Sequence, residues 1–125
     1  MNVLLDTNVL LVWIADSPRI NQAMVEAIES ERNTVFFSPL SIWEVRIKAA
    51  KGRLDLPGHF LDVVRSKDFT ELRFTSEHAD EAGRLPGIHS DPFDRGLIAQ
   101  ARLERMTVLT TDHLLARYEV QLQAV

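Results

Sequence analysis

Not one cysteine occurs among the 125 residues, which excludes disulfides, thiolate zinc sites and a cysteine nucleophile and fits a reducing compartment. Long apolar runs are equally absent. No stretch approaches the ~20 apolar residues that a membrane span needs. The apolar start, Val3-Leu4-Leu5 and Val9-Leu10-Leu11-Val12, is broken by Asp6 and Asn8 and has no basic residues ahead of it, unlike an export signal. A soluble cytoplasmic protein with no membrane association is expected. Nor is there an excess of positive charge. Lys and Arg number 14 against 18 Asp and Glu, and the resulting −4 argues against non-specific coating of DNA while permitting a local basic track beside an acidic pocket. Repeats, low-complexity segments and interdomain linkers are missing too, and the length suits one domain over residues 1–125.

What is present is an alternation of strand and helix signals. Asn2-Val3-Leu4-Leu5, Thr34-Val35-Phe36-Phe37 and Thr107-Val108-Leu109-Thr110 read as short buried strands, apolar through most of their length as parallel strands are when both faces are covered. Glu71 to Phe74 and Tyr118 to Leu122 are weaker strand candidates. Helices are expected from Thr7 to Ala15, around Ala23 to Ile28 with an end near Arg32-Asn33, and from Pro39 to Lys51 behind the N-cap Ser38. Others follow from His59 to Ser66, from Ser76 to Arg84 behind Thr75, and from Pro92 to Arg105 behind Asp91. The last carries Phe93, Leu97, Ile98 and Ala101 as one apolar stripe. The alternation predicts an α/β fold of three layers, α/β/α, around a central mainly parallel sheet of four to five strands.

In such folds functional groups gather at the carboxyl ends of the strands. Asp6 and Asp112 each stand just past a buried strand, and Glu44 and Asp94 lie in the opening turns of helices that begin on the same side. Two carboxylates at 4 Å repel by about 4 kcal/mol at an effective dielectric of 20, so four converging acids call for a cation among them. Oxygen donors alone suit the hard ions Mg²⁺ or Mn²⁺, which also bind phosphate oxygens. Zinc fits poorly, because there is no His-Glu-x-x-His and the four histidines show no ligand spacing. Such ions promote hydrolysis of phosphodiesters. Thr7 and Asn8 after Asp6, with Thr110 and Thr111 before Asp112, are placed to orient the carboxylates.

Taken in order, Leu4-Leu5-Asp6-Thr7-Asn8, then Ser41-Ile42-Trp43-Glu44-Val45 with Lys48 and Gly52-Arg53-Leu54, resemble the PIN domain family. His89-Ser90-Asp91-Pro92-Phe93-Asp94-Arg95, running into Leu97-Ile98-Ala99-Gln100-Ala101, resembles a motif of one branch of the bacterial VapC-type toxins. Thr110-Thr111-Asp112 matches the closing motif. The resemblance covers nearly the whole chain. It implies a PIN-like fold and an RNA-cutting toxin of a type II toxin–antitoxin pair, usually dimeric, using Mg²⁺ or Mn²⁺ held by Asp6, Glu44, Asp94 and Asp112. It also implies a small antitoxin whose tail enters the acidic groove.

Plainer readings stand beside these. Asp6 and Asp112 can cap the helices that follow them, and Glu44 with Lys48 is an ordinary i, i+4 ion pair. Asp91 is assigned to capping and Asp94 to metal, with Asp91 close enough to support the site. His89 and His113 are left out of the catalytic set. Arg46, Lys48, Lys51 and Arg53 form a candidate phosphate track for RNA or simply a solvated helix face. Trp13, Phe36, Trp43 and Phe93 are read as core or dimer-interface residues rather than base-stacking platforms. Competing functions are a housekeeping or RNA-processing nuclease and a non-catalytic module that binds RNA or a partner protein. An aspartyl phosphotransferase lacks its second aspartate two residues after Asp6, and a phospho-accepting receiver lacks both the early acid pair and the late lysine.

Overall fold

In the computed structural model, which describes residues 1–125, five strands form one sheet. They are β1 (Asn2–Leu5), β2 (Thr34–Phe37), β3 (Thr70–Glu71), β4 (Thr107–Thr110) and β5 (Gln121–Ala124). The helices are α1 (Thr7–Ile14), α2 (Gln22–Glu29), α3 (Pro39–Ala50), α4 (Phe60–Ser66), α5 (Ser76–Arg84) and α6 (Pro92–Glu104), and a 3-10 turn covers His113–Arg117. The sheet order is β3-β2-β1-β4-β5, and every pairing is parallel. The expected α/β architecture is therefore realised, with five strands and no antiparallel edge. No helix is long and apolar enough to cross a membrane.

The sheet is covered on both faces, as its apolar strands require. Successive residues of β1 point to opposite sides, and Val3, Leu4 and Leu5 are all fully buried. Val3 and Leu5 join Val35, Phe37 and Leu109 in one cluster with Val9 and Leu10 of α1, Met24 of α2, Val45 of α3 and Phe60 of α4. Leu4 joins Val108 in the other, with Leu97, Ile98 and Ala101 of α6 and with Leu115 and Tyr118. Truncating any of the buried leucines to alanine typically costs 2–5 kcal/mol, so each face contributes to stability.

Helix starts are set by local chemistry. Ser38 accepts the Leu40 N–H at 3.1 Å and Pro39 opens α3; Asp91 accepts the Phe93 N–H at 2.9 Å and Pro92 opens α6. These two helices pack closely at Gly96, where a Cβ would run into Leu40 Cδ1 and touch Phe74 Cε1 at 3.4 Å.

Four helix ends shift by a single residue, and three elements differ more. α2 stops at Glu29 rather than near Asn33, because Ser30 is extended and the Asn33 side chain donates to the Ala27 carbonyl at 2.8 Å. β3 is Thr70–Glu71 rather than Glu71–Phe74, since the Leu72 and Arg73 carbonyls accept from the Gln100 amide at 3.1 and 3.3 Å. β5 begins at Gln121 rather than Tyr118, whose side chain is buried in the second core cluster.

The chain runs outward from β1 to β2 and β3, then returns to place β4 on the other side of β1. This reversal opens a crevice at the carboxyl ends of β1 and β4, where doubly wound sheets hold their ligands. Asp6 and Asp112 both emerge there.

Candidate active site

Register fixes the first contact of the site. Leu5 pairs with Leu109, so the next residues, Asp6 and Thr110, stand side by side. The Thr110 hydroxyl donates a short hydrogen bond to Asp6 Oδ2, and the Val9 N–H donates to Asp6 Oδ1 at 2.7 Å. Asp6 thus caps α1 and faces the crevice at once, so the two readings of this residue are compatible. Its carboxyl is held above the usual range, chiefly by burial, although both hydrogen bonds oppose the shift.

Glu44 comes from the second turn of α3 and is almost wholly buried. Its Oε2 lies 2.9 Å from Lys48 Nζ, whereas Oε1 is buried with no hydrogen-bond partner. Asp94, in the first turn of α6, is pushed up to about 7 by burial first and by neighbouring Asp91 second, with His89 pulling the other way. Asp112 caps the 3-10 turn through the Leu114 N–H at 2.9 Å, and its own N–H donates to the Thr110 hydroxyl at 2.9 Å. Thr110 therefore links two acids on neighbouring segments.

One pocket collects these groups. Its lining is Asp6, Thr7, Asn8, Glu44, Lys48, Asp91, Asp94, Thr111 and Asp112, without a single hydrophobic residue. All four candidate metal acids are there, with Thr7, Asn8, Asp91 and Thr111 of the residues expected to support them, while Thr110 stands behind Asp6. Thr7 donates to Ser41 at 2.9 Å, joining the starts of α1 and α3, and Asn8 donates to Thr111 at 3.0 Å. Of the basic residues only Lys48 lines the pocket. Arg46 turns to the Gly58 carbonyl at 3.4 Å, and Lys51 and Arg53 are exposed just beyond α3.

The donor set suits a hard divalent cation. Four carboxylates in one apolar-free cavity repel one another, and the unpartnered Glu44 oxygen is a buried acceptor in want of a positive partner.

Sequence reasoning missed His89. Its Nε2 lies 3.0 Å from Asp94 Oδ2 and 3.6 Å from Asp112 Oδ2, and nitrogen and carboxylate oxygens of the three residues lie within 4.8 Å of one another. No spacing rule finds it, because a loop places it there rather than a periodic element. His113, by contrast, is exposed on the 3-10 turn. Trp43 is not a core residue: it is 61 % exposed and meets Phe93 edge to face at 5.3 Å, on the helix turns that carry Glu44 and Asp94.

Comparison with known proteins adds to this geometry. The family model for the PIN domain matches residues 3–121. No curated protein matches the chain. Among solved structures, the fold is similar to VapBC2 from Rickettsia felis, bound to a DNA fragment from their promoter, at a TM-score of 0.77 and 16 % identity over 99 % of this chain and 98 % of that one. It is similar to DNA-bound VapBC from Salmonella typhimurium at 0.74 and 17 %, over 99 % and 98 %. FitAcB from Neisseria gonorrhoeae matches at 0.63 and 22 %, over 96 % and 95 %. At these identities the likeness is one of fold.

Proposed function

Because the chain belongs to the PIN domain family, we propose that it is a metal-dependent endoribonuclease, the toxin of a type II toxin–antitoxin pair, and that it hydrolyses RNA phosphodiesters at Asp6, Glu44, Asp94 and Asp112. The observation that carries the reading is the unpartnered, buried Oε1 of Glu44 inside a pocket lined by five acids and no apolar residue. A buried acceptor left unsatisfied costs about 1–3 kcal/mol, more when charged, and a cation among these carboxylates removes that cost. Without thiolates the donors favour Mg²⁺ or Mn²⁺. Asp6, Glu44, Asp94 and Asp112 would hold such an ion, which would supply Lewis acidity toward a phosphodiester and lower the pKa of a nearby water.

The chain's own groups do the rest. Thr110 and the Val9 N–H fix both oxygens of Asp6, so that carboxylate meets a ligand without reorganising. Lys48, 46 % exposed at the pocket edge, offers an ammonium to a phosphate oxygen while it holds Glu44. The proposed partners are an RNA substrate, a small cognate antitoxin and a second copy of the chain, acting in the cytoplasm. The toxin–antitoxin complexes among the similar folds support the antitoxin part of this reading.

The test is cleavage of RNA by purified chain freed of partner. Activity is expected with Mg²⁺ or Mn²⁺, silence with EDTA, and a loss of at least about 100-fold in Asp6→Asn and Asp94→Asn with unfolding profiles retained. Full activity in either variant, or in EDTA, overturns the reading.

A further inference from the structure

We propose that His89 is a positioning residue for the acid cluster, whose Nε2 stands at ion-pair distance from Asp94 and Asp112 together and so holds both carboxylates electrostatically for a divalent cation. The inference rests on reading the pocket as a cation site, and it adds a group outside the four acids.

Asp94 sits on α6 and Asp112 follows β4, and His89 is the side chain within ion-pair distance of both. The other acids already have a fixed donor: Thr110 on Asp6, Lys48 on Glu44. For Asp94 and Asp112 the nearby polar group is His89, at ion-pair distance. The hydrogen-bond pattern also decides which nitrogen bears the proton. Nδ1 accepts the Asp91 N–H at 3.1 Å, which occupies its lone pair. The ring proton therefore resides on Nε2, the nitrogen that faces the two carboxylates. A nitrogen that carries a proton has no lone pair for a cation, so His89 turns the positive end of its N–H dipole toward the acids and is not a fifth ligand.

The loop between α5 and α6 is built to hold that ring still. Arg95 donates to the carbonyls of Ala82 at 2.9 Å, Leu85 at 2.8 Å, Pro86 at 2.9 Å and His89 at 3.3 Å. The buried Tyr118 hydroxyl accepts the His89 N–H at 2.7 Å and donates to the Pro86 carbonyl at 3.3 Å. Two large side chains from other elements thus spend their polar groups on the backbone around one histidine. Outer groups held in this way orient the carboxylates that bind an ion, and their loss typically weakens metal affinity by roughly 10–100-fold.

Two measurements on the full chain test this. In the first, long-range ¹H–¹⁵N spectra of the metal-free protein with labelled histidine should show His89 protonated on Nε2 and bare on Nδ1. The opposite tautomer overturns the proposal. In the second, Mn²⁺ is titrated calorimetrically into the unmodified chain and into His89→Ala, His89→Gln and His89→Asn. Gln puts an amide N–H where Nε2 stands, so its affinity should stay within about 3-fold, while Ala and Asn fall by roughly 10–100-fold. Equal or tighter binding in His89→Ala or in His89→Asn overturns the role of His89 alone, and the Gln and Asn pair decides the matter should Ala unfold. Nitrogen hyperfine coupling from His89 to bound Mn²⁺ likewise overturns it, since that marks a ligand. An unmodified chain that takes up no Mn²⁺ overturns the cation reading and this inference with it, an outcome distinct from the others.

Discussion

The Thr110 hydroxyl bridges two acids, donating to Asp6 Oδ2 at the end of β1 and accepting the backbone N–H of Asp112 at 2.9 Å. Thr110→Val keeps the shape of the side chain and removes both bonds. With Asp6 buried, the variant should lose about 1–3 kcal/mol of stability, seen as a drop of several degrees in Tm, and Thr110→Ser should recover most of it. Unchanged melting in Thr110→Val would show that Asp6 does not depend on this donor.

Protonation of Asp94 gives a pH dependence of definite sign. The group titrates near 3.8 when unperturbed and at about 7 in the folded chain. Between these values the folded state holds a proton that the unfolded state has released, so the stability present at low pH is lost as pH rises through about 7. Asp6 shifts in the same direction. In EDTA, Tm should fall from about pH 5 to about pH 8, Asp94→Asn should flatten that fall, and Mn²⁺ at the upper pH should raise Tm again. A metal-free Tm that climbs over this interval would contradict the assignment.

Lys48 sits 2.9 Å from Glu44 and nearly half exposed, so its pair adds only a few tenths of a kcal/mol to the fold. Its charge matters more for ligands. Lys48→Met should leave Tm almost unchanged, tighten Mn²⁺ binding roughly 2–5-fold by removing a competing cation, and raise the KM for RNA by losing a phosphate contact. Movement of both affinities in the same direction would exclude that division of roles.

Gly96 tests the close approach of α3 and α6. A methyl group there gains up to about 1 kcal/mol of helix propensity but forces the buried Leu40 side chain to move, which costs about 1–3 kcal/mol. Gly96→Ala should therefore be destabilising by roughly 1 kcal/mol in denaturant unfolding. A stabilised variant would mean that Leu40 repacks freely.

Features set by short-range chemistry could be read from the chain itself. Ser38-Pro39 and Asp91-Pro92 start α3 and α6 as expected because cap and proline act within a few residues. The apolar tetrapeptides became β1, β2 and β4 because burial on both faces leaves no other pattern. The convergence of Asp6, Glu44, Asp94 and Asp112 on one pocket followed from their places at strand and helix ends. What escaped depends on distant partners. β3 is short because Gln100, from α6, takes the next carbonyls, and Tyr118 packs in the core while its hydroxyl serves a loop 29 residues earlier. His89 belongs to that class in part: Asp94 and Arg95 follow it closely, but Tyr118 and Asp112 reach it from far along the chain.

The placement of β4 against β1 bears on when the chain can act. Residues 107–110 fill the gap beside residues 2–5, so Asp6 and Glu44 leave the ribosome long before Asp94 and Asp112 arrive. Until Thr107 emerges, β1 keeps a bare edge and the pocket lacks one wall. A nascent chain accordingly carries only part of the acid set, and the pocket is whole only after the middle of the sheet has closed.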